Sequence, residues 1–131
     1  MIPKMTNSFP QSPIYTKAMD IFTLSRRISD YLVDDLARLK TDGTEDPNVY
    51  FTGDIVQQSV SLGPEILKAE QQPSSDVKYK HVAYLNKLTN HLYRNCERLE
   101  RANSNGSEFL PLLRKELKKF KKLQRSWMLT L

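Results

Sequence analysis

Apolar residues recur along this chain at spacings of three and four rather than two. In the first third, Ala18, Ile21, Leu24, Ile28, Leu32, Leu36 and Leu39 keep that rhythm. Residues three and four apart share one face of a helix, so the pattern predicts an amphipathic helix running to about Lys40. Ser12-Pro13 marks its start, because serine suits the N-cap and proline the first helical position. Residues 1–12 are rich in Pro, Ser and Asn without any period and read as a flexible arm. The cluster TDGTEDP, Thr41 to Pro47, ends the helical pattern.

A second stripe runs through Tyr50 or Phe51, Ile55, Val56, Leu62, Ile66 and Ala69, predicting a helix over about Asn48 to Gln71. Gly63-Pro64 lies inside it. Proline removes a backbone donor and clashes with the preceding turn, so a kink or break is expected near Leu62. After QQPSSD, where Ser75 or Asp76 can cap, Val82, Leu85, Leu88, Leu92, Cys96 and Leu99 predict a third helix over about Val77 to Ala102. The turn NSNG, Asn103 to Gly106, ends that helix, and Ser107 can cap a fourth. In the fourth, Leu113, Leu117, Phe120, Trp127 and Leu131 are in register with one polar member, Gln124. Short connections between long helices favour antiparallel neighbours. The expected fold is therefore all-α, an antiparallel up-down-up-down four-helix bundle over residues 13–131.

Composition narrows this picture little. The 131 residues suffice for one domain, and 39% hydrophobic and 27% charged residues are ordinary values for a globular chain. The apolar runs are too short for a transmembrane helix. The opening MIPKMTNSFPQSP has no apolar h-region and does not resemble a signal peptide. One cysteine cannot form an intramolecular disulfide, so a reducing, cytoplasmic setting is expected.

Candidate chemistry is sparse. The di-iron pattern of helical bundles needs Glu-x-x-His, but Lys78 precedes His81 by three and Leu88 precedes His91 by three. Two histidines and one cysteine do not make a structural zinc site. The two histidines read instead as polar residues beside a helix face. Cys96 falls on the apolar stripe and reads as a small buried thiol, with His91 on another face. Asp34 and Asp35 are adjacent and diverge on a helix. The scattered glycines make no phosphate loop. No cofactor, metal or catalytic residue is expected, and the chain reads as a non-enzyme.

Charge is the feature that stands out. The net charge is +5. From Glu108 onward, Arg114, Lys115, Lys118, Lys119, Lys121, Lys122 and Arg125 face only Glu108 and Glu116, an excess equal to that of the whole chain. This helix reads either as a phosphate-contacting face or as a solvated terminal face whose cations suit the helix dipole. A membrane-surface helix ranks below both, because the apolar seam is narrow and the bundle needs it. On the third helix, Lys87, His91, Arg94, Arg98 and Arg101 form a continuous ridge, which Lys80 extends by a heptad. Like charges at i and i+4 repel, and an anion would relieve them. Glu97 and Glu100 flank the ridge and offer the alternative reading, internal neutralisation. Phosphate contact by such a ridge would be sequence-independent and steeply salt-dependent. Aromatic interleaving is poor, so base stacking is not indicated.

Two segments carry a family resemblance. KAMDIF with the Ile28 to Leu32 stretch, and QQSVSLGPEILKAE in the second helix, resemble the bacterial four-helix-bundle family encoded in intervening sequences of 23S ribosomal RNA genes. The accessory variability proteins of diversity-generating retroelements are more distant relatives of that family. The resemblance spans Tyr15 to Leu131, mostly as pattern. Val60, Ser61, Leu62 and Ile66 follow the family's small-residue signature. The proline is displaced to Pro64, Glu65 stands where the family has Asn, and Lys68-Ala69 stands where it has Glu-Gly. The resemblance implies a homopentameric ring and no enzyme activity. For the retroelement relatives it implies a basic surface for nucleic acid and a reverse transcriptase partner. Physical reasoning places any subunit interface on the second helix, where Ser59, Ser61 and Gly63 are small enough for close contact. Two functional readings stand at this point. One is a non-enzymatic basic scaffold that oligomerises and binds RNA or DNA phosphates. The other is a protein-interaction module whose charge serves solubility.

Overall fold

The computed structural model describes residues 12–36, 43, 49–101 and 108–131, with the side chains of 33–36, 49 and 50 outside that description. Every regular element among the described residues is helical: α1 (Pro13–Leu36), α2 (Val49–Val60), α3 (Leu62–Gln71), α4 (Ser75–Glu100) and α5 (Leu110–Met128). Only Ser61 separates α2 from α3, so the described residues build four helices, the second of them interrupted. Most of the arm, most of the TDGTEDP turn, the NSNG turn, Leu39 and Ser107 lie outside the described residues. Gly43, within the first turn, has φ 85°, the left-handed region that glycine enters without penalty.

The helix starts follow their sequence cues unevenly. The Tyr15 amide donates to Ser12 Oγ at 3.3 Å, as an N-cap serine should receive it. α4 begins two residues earlier than expected. Ser74, in extended backbone, is its N-cap position, and Asp76 falls inside the first turn, where a carboxylate suits the positive helix end. α5 is preceded by a tight turn at 108–109 and carries Pro111 in its first turn. It ends at Met128, so Leu131 packs against the core from beyond the helix.

The break in the second helix has a specific cause. Pro64 has no N–H, so the Val60 carbonyl receives no helical bond from it. The Ser61 amide reaches back only three residues, to Gln58 O at 3.3 Å, and the Glu65 amide resumes the four-residue ladder on Ser61 O at 3.2 Å. The interruption thus falls one residue before the expected site. Gly63 beside it is buried against α1, where a Cβ would lie 3.3 Å from the Tyr15 ring. Ser59 is buried too, with its hydroxyl donating to Val56 O. Of the small residues expected at a subunit interface, Gly63 therefore brings α3 close to α1 of its own chain, and Ser61 is half-buried with its hydroxyl donating to Gln57 O.

The predicted stripes form the core. Ile21, Leu32, Ile55, Leu62, Ile66, Leu85, Leu92, Leu99, Leu113, Leu117 and Phe120 are fully buried, and Ala18, Ile28, Val82 and Cys96 join them. Each large apolar side chain so buried contributes roughly 1.5–3 kcal/mol. Helix α1 packs against α2, α3 and α5, and α4 packs against the same three. Polar contacts fix the register. Lys17 on α1 meets Glu116 on α5 at 2.8 Å, and Asn95 on α4 donates to Gln58 on α2 at 2.9 Å. Tyr31 and Phe109 join the end of α1 to the start of α5, with ring centroids 5.3 Å apart. The Trp127 indole N–H donates to Glu70 Oε2 at 3.0 Å and ties the last turn of α5 to the end of α3. No described helix is long and apolar enough to cross a membrane.

Candidate nucleic-acid interface

The ridge on α4 is built by helical geometry alone. Val82, Leu85, Thr89, Leu92, Cys96 and Leu99 point inward. With 3.6 residues per turn, Lys80, Lys87, His91, Arg94, Arg98 and Arg101 fall on nearly the opposite face. All six are exposed. None of them forms an ion pair among the described residues. Arg98 lies with its guanidinium 4.1 Å from the Phe51 ring centroid, which holds it against α2 while leaving its charge at the surface. His91 and Arg94 border a shallow depression with Asp54, Gln58 and Asn95, and Asp54 is the carboxylate lining it.

Glu100, one of the two carboxylates that could neutralise the ridge, turns elsewhere. Its Oε1 accepts from Arg114 Nη2 on α5 at 2.9 Å, and its other oxygen faces Arg114 Nε. Arg114 also donates to the Tyr93 hydroxyl at 3.5 Å. Its pKa is raised above the ordinary guanidinium value, first by the Glu100 hydrogen bond and then by Tyr93.

The cations of α5 divide into two groups. Lys115, Lys118, Lys122 and Arg125 are exposed and have no ion-pair partner among the described residues. Arg114, Lys119 and Lys121 are engaged. Lys119 pairs with Glu116 at 3.1 Å, and Lys121 Nζ lies 5.0 Å from the Tyr93 ring centroid. Glu116 is shared with Lys17, whose hydrogen bond is the main cause holding its carboxyl below the ordinary glutamate value.

One part of this surface was not legible from charge alone. A groove of about 490 Å³ runs between α4 and α5, lined by Tyr79, Asn86, Lys121, Gln124, Arg125 and Met128, with Val82 and Ala83 behind. Tyr79, Ala83, Asn86 and Tyr93 lie at helical spacing on α4 beside the ridge, a signal present in the sequence. It acquires meaning only when α5 is laid against it.

Elsewhere the chemistry remains spare. No cluster of three or more metal-ligating side chains occurs among the described residues. Cys96 is buried as its place on the stripe predicts, and desolvation, with Glu100 adding to it, pushes the thiol up to about 12. It is held protonated and unreactive at neutral pH. His81 sits beside the core with Nδ1 3.0 Å from Glu65 Oε1, and Lys68 Nζ reaches the other oxygen at 3.2 Å. Glu65, 7% exposed, is thus held by a histidine from α4 and a lysine from its own helix.

Comparison with known proteins finds no matching family model, no matching curated protein and no matching solved structure.

Proposed function

We propose that this chain is a non-enzymatic, basic scaffold that binds the phosphate backbone of RNA or DNA through the α4 ridge and the exposed cations of α5. One observation carries the reading: six exposed basic residues stand in line on α4 without an ion-pair partner among the described residues, and Glu100 is committed to Arg114 instead of to them. An unneutralised line of charge costs the free protein repulsion, and a polyanion removes that cost. The residues making the contacts are Lys87, Arg94, Arg98 and Arg101 on α4 and Lys115, Lys118, Lys122 and Arg125 on α5. Arg114, Lys119 and Lys121 shape that face through their protein partners and add to its field.

The scaffold is an antiparallel up-down-up-down four-helix bundle in a reducing cytoplasm. Supporting the topology, the end of α1 meets the start of α5 through Tyr31 and Phe109, and Arg98 near the end of α4 lies over Phe51 near the start of α2. Further along the same two rods, Glu65 on α3 meets His81 near the start of α4. The family resemblance of the first two helices supports assembly into a homo-oligomer, a pentameric ring by that analogy, and a reverse transcriptase as protein partner.

Binding of labelled RNA and DNA at two salt concentrations tests the proposal. Affinity should fall steeply between about 50 and 200 mM salt, the signature of phosphate contacts. Absence of binding at the lower salt would overturn it in favour of a protein-interaction module. Light scattering reads the assembly, and a clean monomer counts against the ring.

A further inference from the structure

We infer that the groove between α4 and α5 receives one unpaired nucleotide, taking its base and its phosphate together. The inference rests on the nucleic-acid reading above and adds to it a site with its own chemistry. Three features of the groove point to the same ligand. Lys121 and Arg125 line it with positive charge, which calls for an anion. Gln124, 4% exposed, forms part of its wall, and its carbonyl Oε1 has no hydrogen-bond partner among the described residues. That acceptor calls for an N–H or O–H donor, which a backbone phosphodiester cannot supply. Tyr79, 58% exposed as a residue, borders the groove and offers a flat π surface beside the cations.

A nucleotide meets all three demands at once. Its phosphate answers Arg125, with Lys121, held over the Tyr93 ring, adding to the positive field. The amino or imino N–H of its base meets the Gln124 carbonyl once the amide turns about its broad, two-fold terminal torsion to face the groove. Asn86 offers a second amide with both donor and acceptor. The base then stacks on Tyr79. In a duplex the Watson–Crick edges are already occupied, so the groove selects an unpaired base. Its volume of about 490 Å³ lies within the roughly 300–1,000 Å³ of small-ligand sites. Lys80 and Lys87 directly follow Tyr79 and Asn86, so the ridge borders the groove and can hold the neighbouring phosphates of a strand.

Fluorescence anisotropy with the full chain tests this, using a labelled single-stranded RNA, an abasic oligomer of equal length and a duplex. The single strand should bind about tenfold tighter than the abasic oligomer. Tyr79→Ala should lower single-strand affinity about tenfold, leave abasic binding unchanged and leave the helical circular dichroism intact, while Tyr79→Phe restores affinity. Adenosine monophosphate that competes where inorganic phosphate does not identifies a site for a free nucleotide. Competition confined to oligomers identifies a strand-borne one, and either result supports the groove. Equal affinity for base-bearing and abasic oligomers would overturn it while leaving the phosphate reading intact. Displacement by a polyglutamate peptide as readily as by the single strand would also overturn it. Binding to none of the three probes would remove both readings together.

Discussion

The outer faces of α4 and α5 are both strongly basic in sequence, yet the fold uses them differently. On α5, three of the seven cations are engaged, Arg114 with Glu100, Lys119 with Glu116 and Lys121 with the Tyr93 ring. On α4 the six ridge residues have no carboxylate partner among the described residues. The difference follows from position around the helix. Arg114 and Lys121 lie on the flank of α5 that meets α4, so they find partners there, whereas the ridge lies opposite the buried face of α4 and meets α2 through the Phe51 ring under Arg98 instead of through a carboxylate pair. The number of charges in a segment is therefore a poor guide to the number available for a ligand.

The contrast can be broken most strongly on α4. Reversing Arg94, Arg98 and Arg101 to Glu should abolish measurable nucleic-acid binding at low salt, with the melting temperature lowered by only the few degrees that loss of the Arg98–Phe51 contact costs. Reversing Lys115, Lys118 and Lys122 should weaken binding and lower the slope of log affinity against log salt by up to about 2.7 on duplex DNA, for three lost contacts. Unfolding of the ridge variant would instead show that its charges hold the fold.

Stability should respond in the opposite sense. Arg114→Ala leaves the half-buried Glu100 without its partner and should cost about 1–2 kcal/mol in urea unfolding, between the figures for exposed and buried pairs. Its salt slope should stay that of the unmodified chain. Arg94→Ala, whose side chain has no ion-pair partner to lose among the described residues, should stay within about 0.5 kcal/mol.

Arg98 sharpens the comparison because it belongs to the ridge and also packs on Phe51. Arg98→Ala should cost roughly 0.5–1 kcal/mol of stability, the scale of an exposed cation–π contact. Arg98→Lys should retain much of it. Equal stability of all three proteins would reduce the stacking to coincidence.

The smallest effect is read by pH. Glu116 has a lowered pKa in the folded chain, chiefly from Lys17. Its stabilisation is complete above the ordinary glutamate value of about 4.3 and is lost as the pH falls through the lowered folded value. Glu116→Gln should therefore be slightly less stable than the parent at neutral pH and converge with it in acid. A constant difference down to pH 2 would assign the effect to packing instead of charge.

Much of this architecture could be read from spacing. The stripes of α1, α4 and α5 emerged because burial on one face imposes the helical period, and Ala18, Ile28, Leu92 and Phe120 all lie where that period puts them. Gly63-Pro64 announced the break, but its position at Ser61 depends on the missing donor acting one turn earlier. Ser59 and Gly63 could not be oriented from sequence, since small residues suit an interface within the chain as well as one between chains. Tyr15 on α1 decides the matter for Gly63. Arg, Lys and His at four-three spacing made the ridge legible. That Glu100 leaves the ridge for Arg114 was not, because that pair depends on how α4 and α5 are set against each other. The groove was hidden for the same reason, since Tyr79 and Gln124 come from different helices.

Trp127 is the chain's one tryptophan, and its indole is 6% exposed and hydrogen-bonded to Glu70. The molecule therefore carries a single built-in optical gauge. Its emission reports whether the final turn of α5 is seated on the end of α3, and it should shift to the red when that turn comes loose. Trp127 follows Gln124 by three residues and directly precedes Met128, both in the wall of the groove. Whether a molecule settling between α4 and α5 disturbs that turn can thus be read in the protein's own fluorescence, without any attached dye.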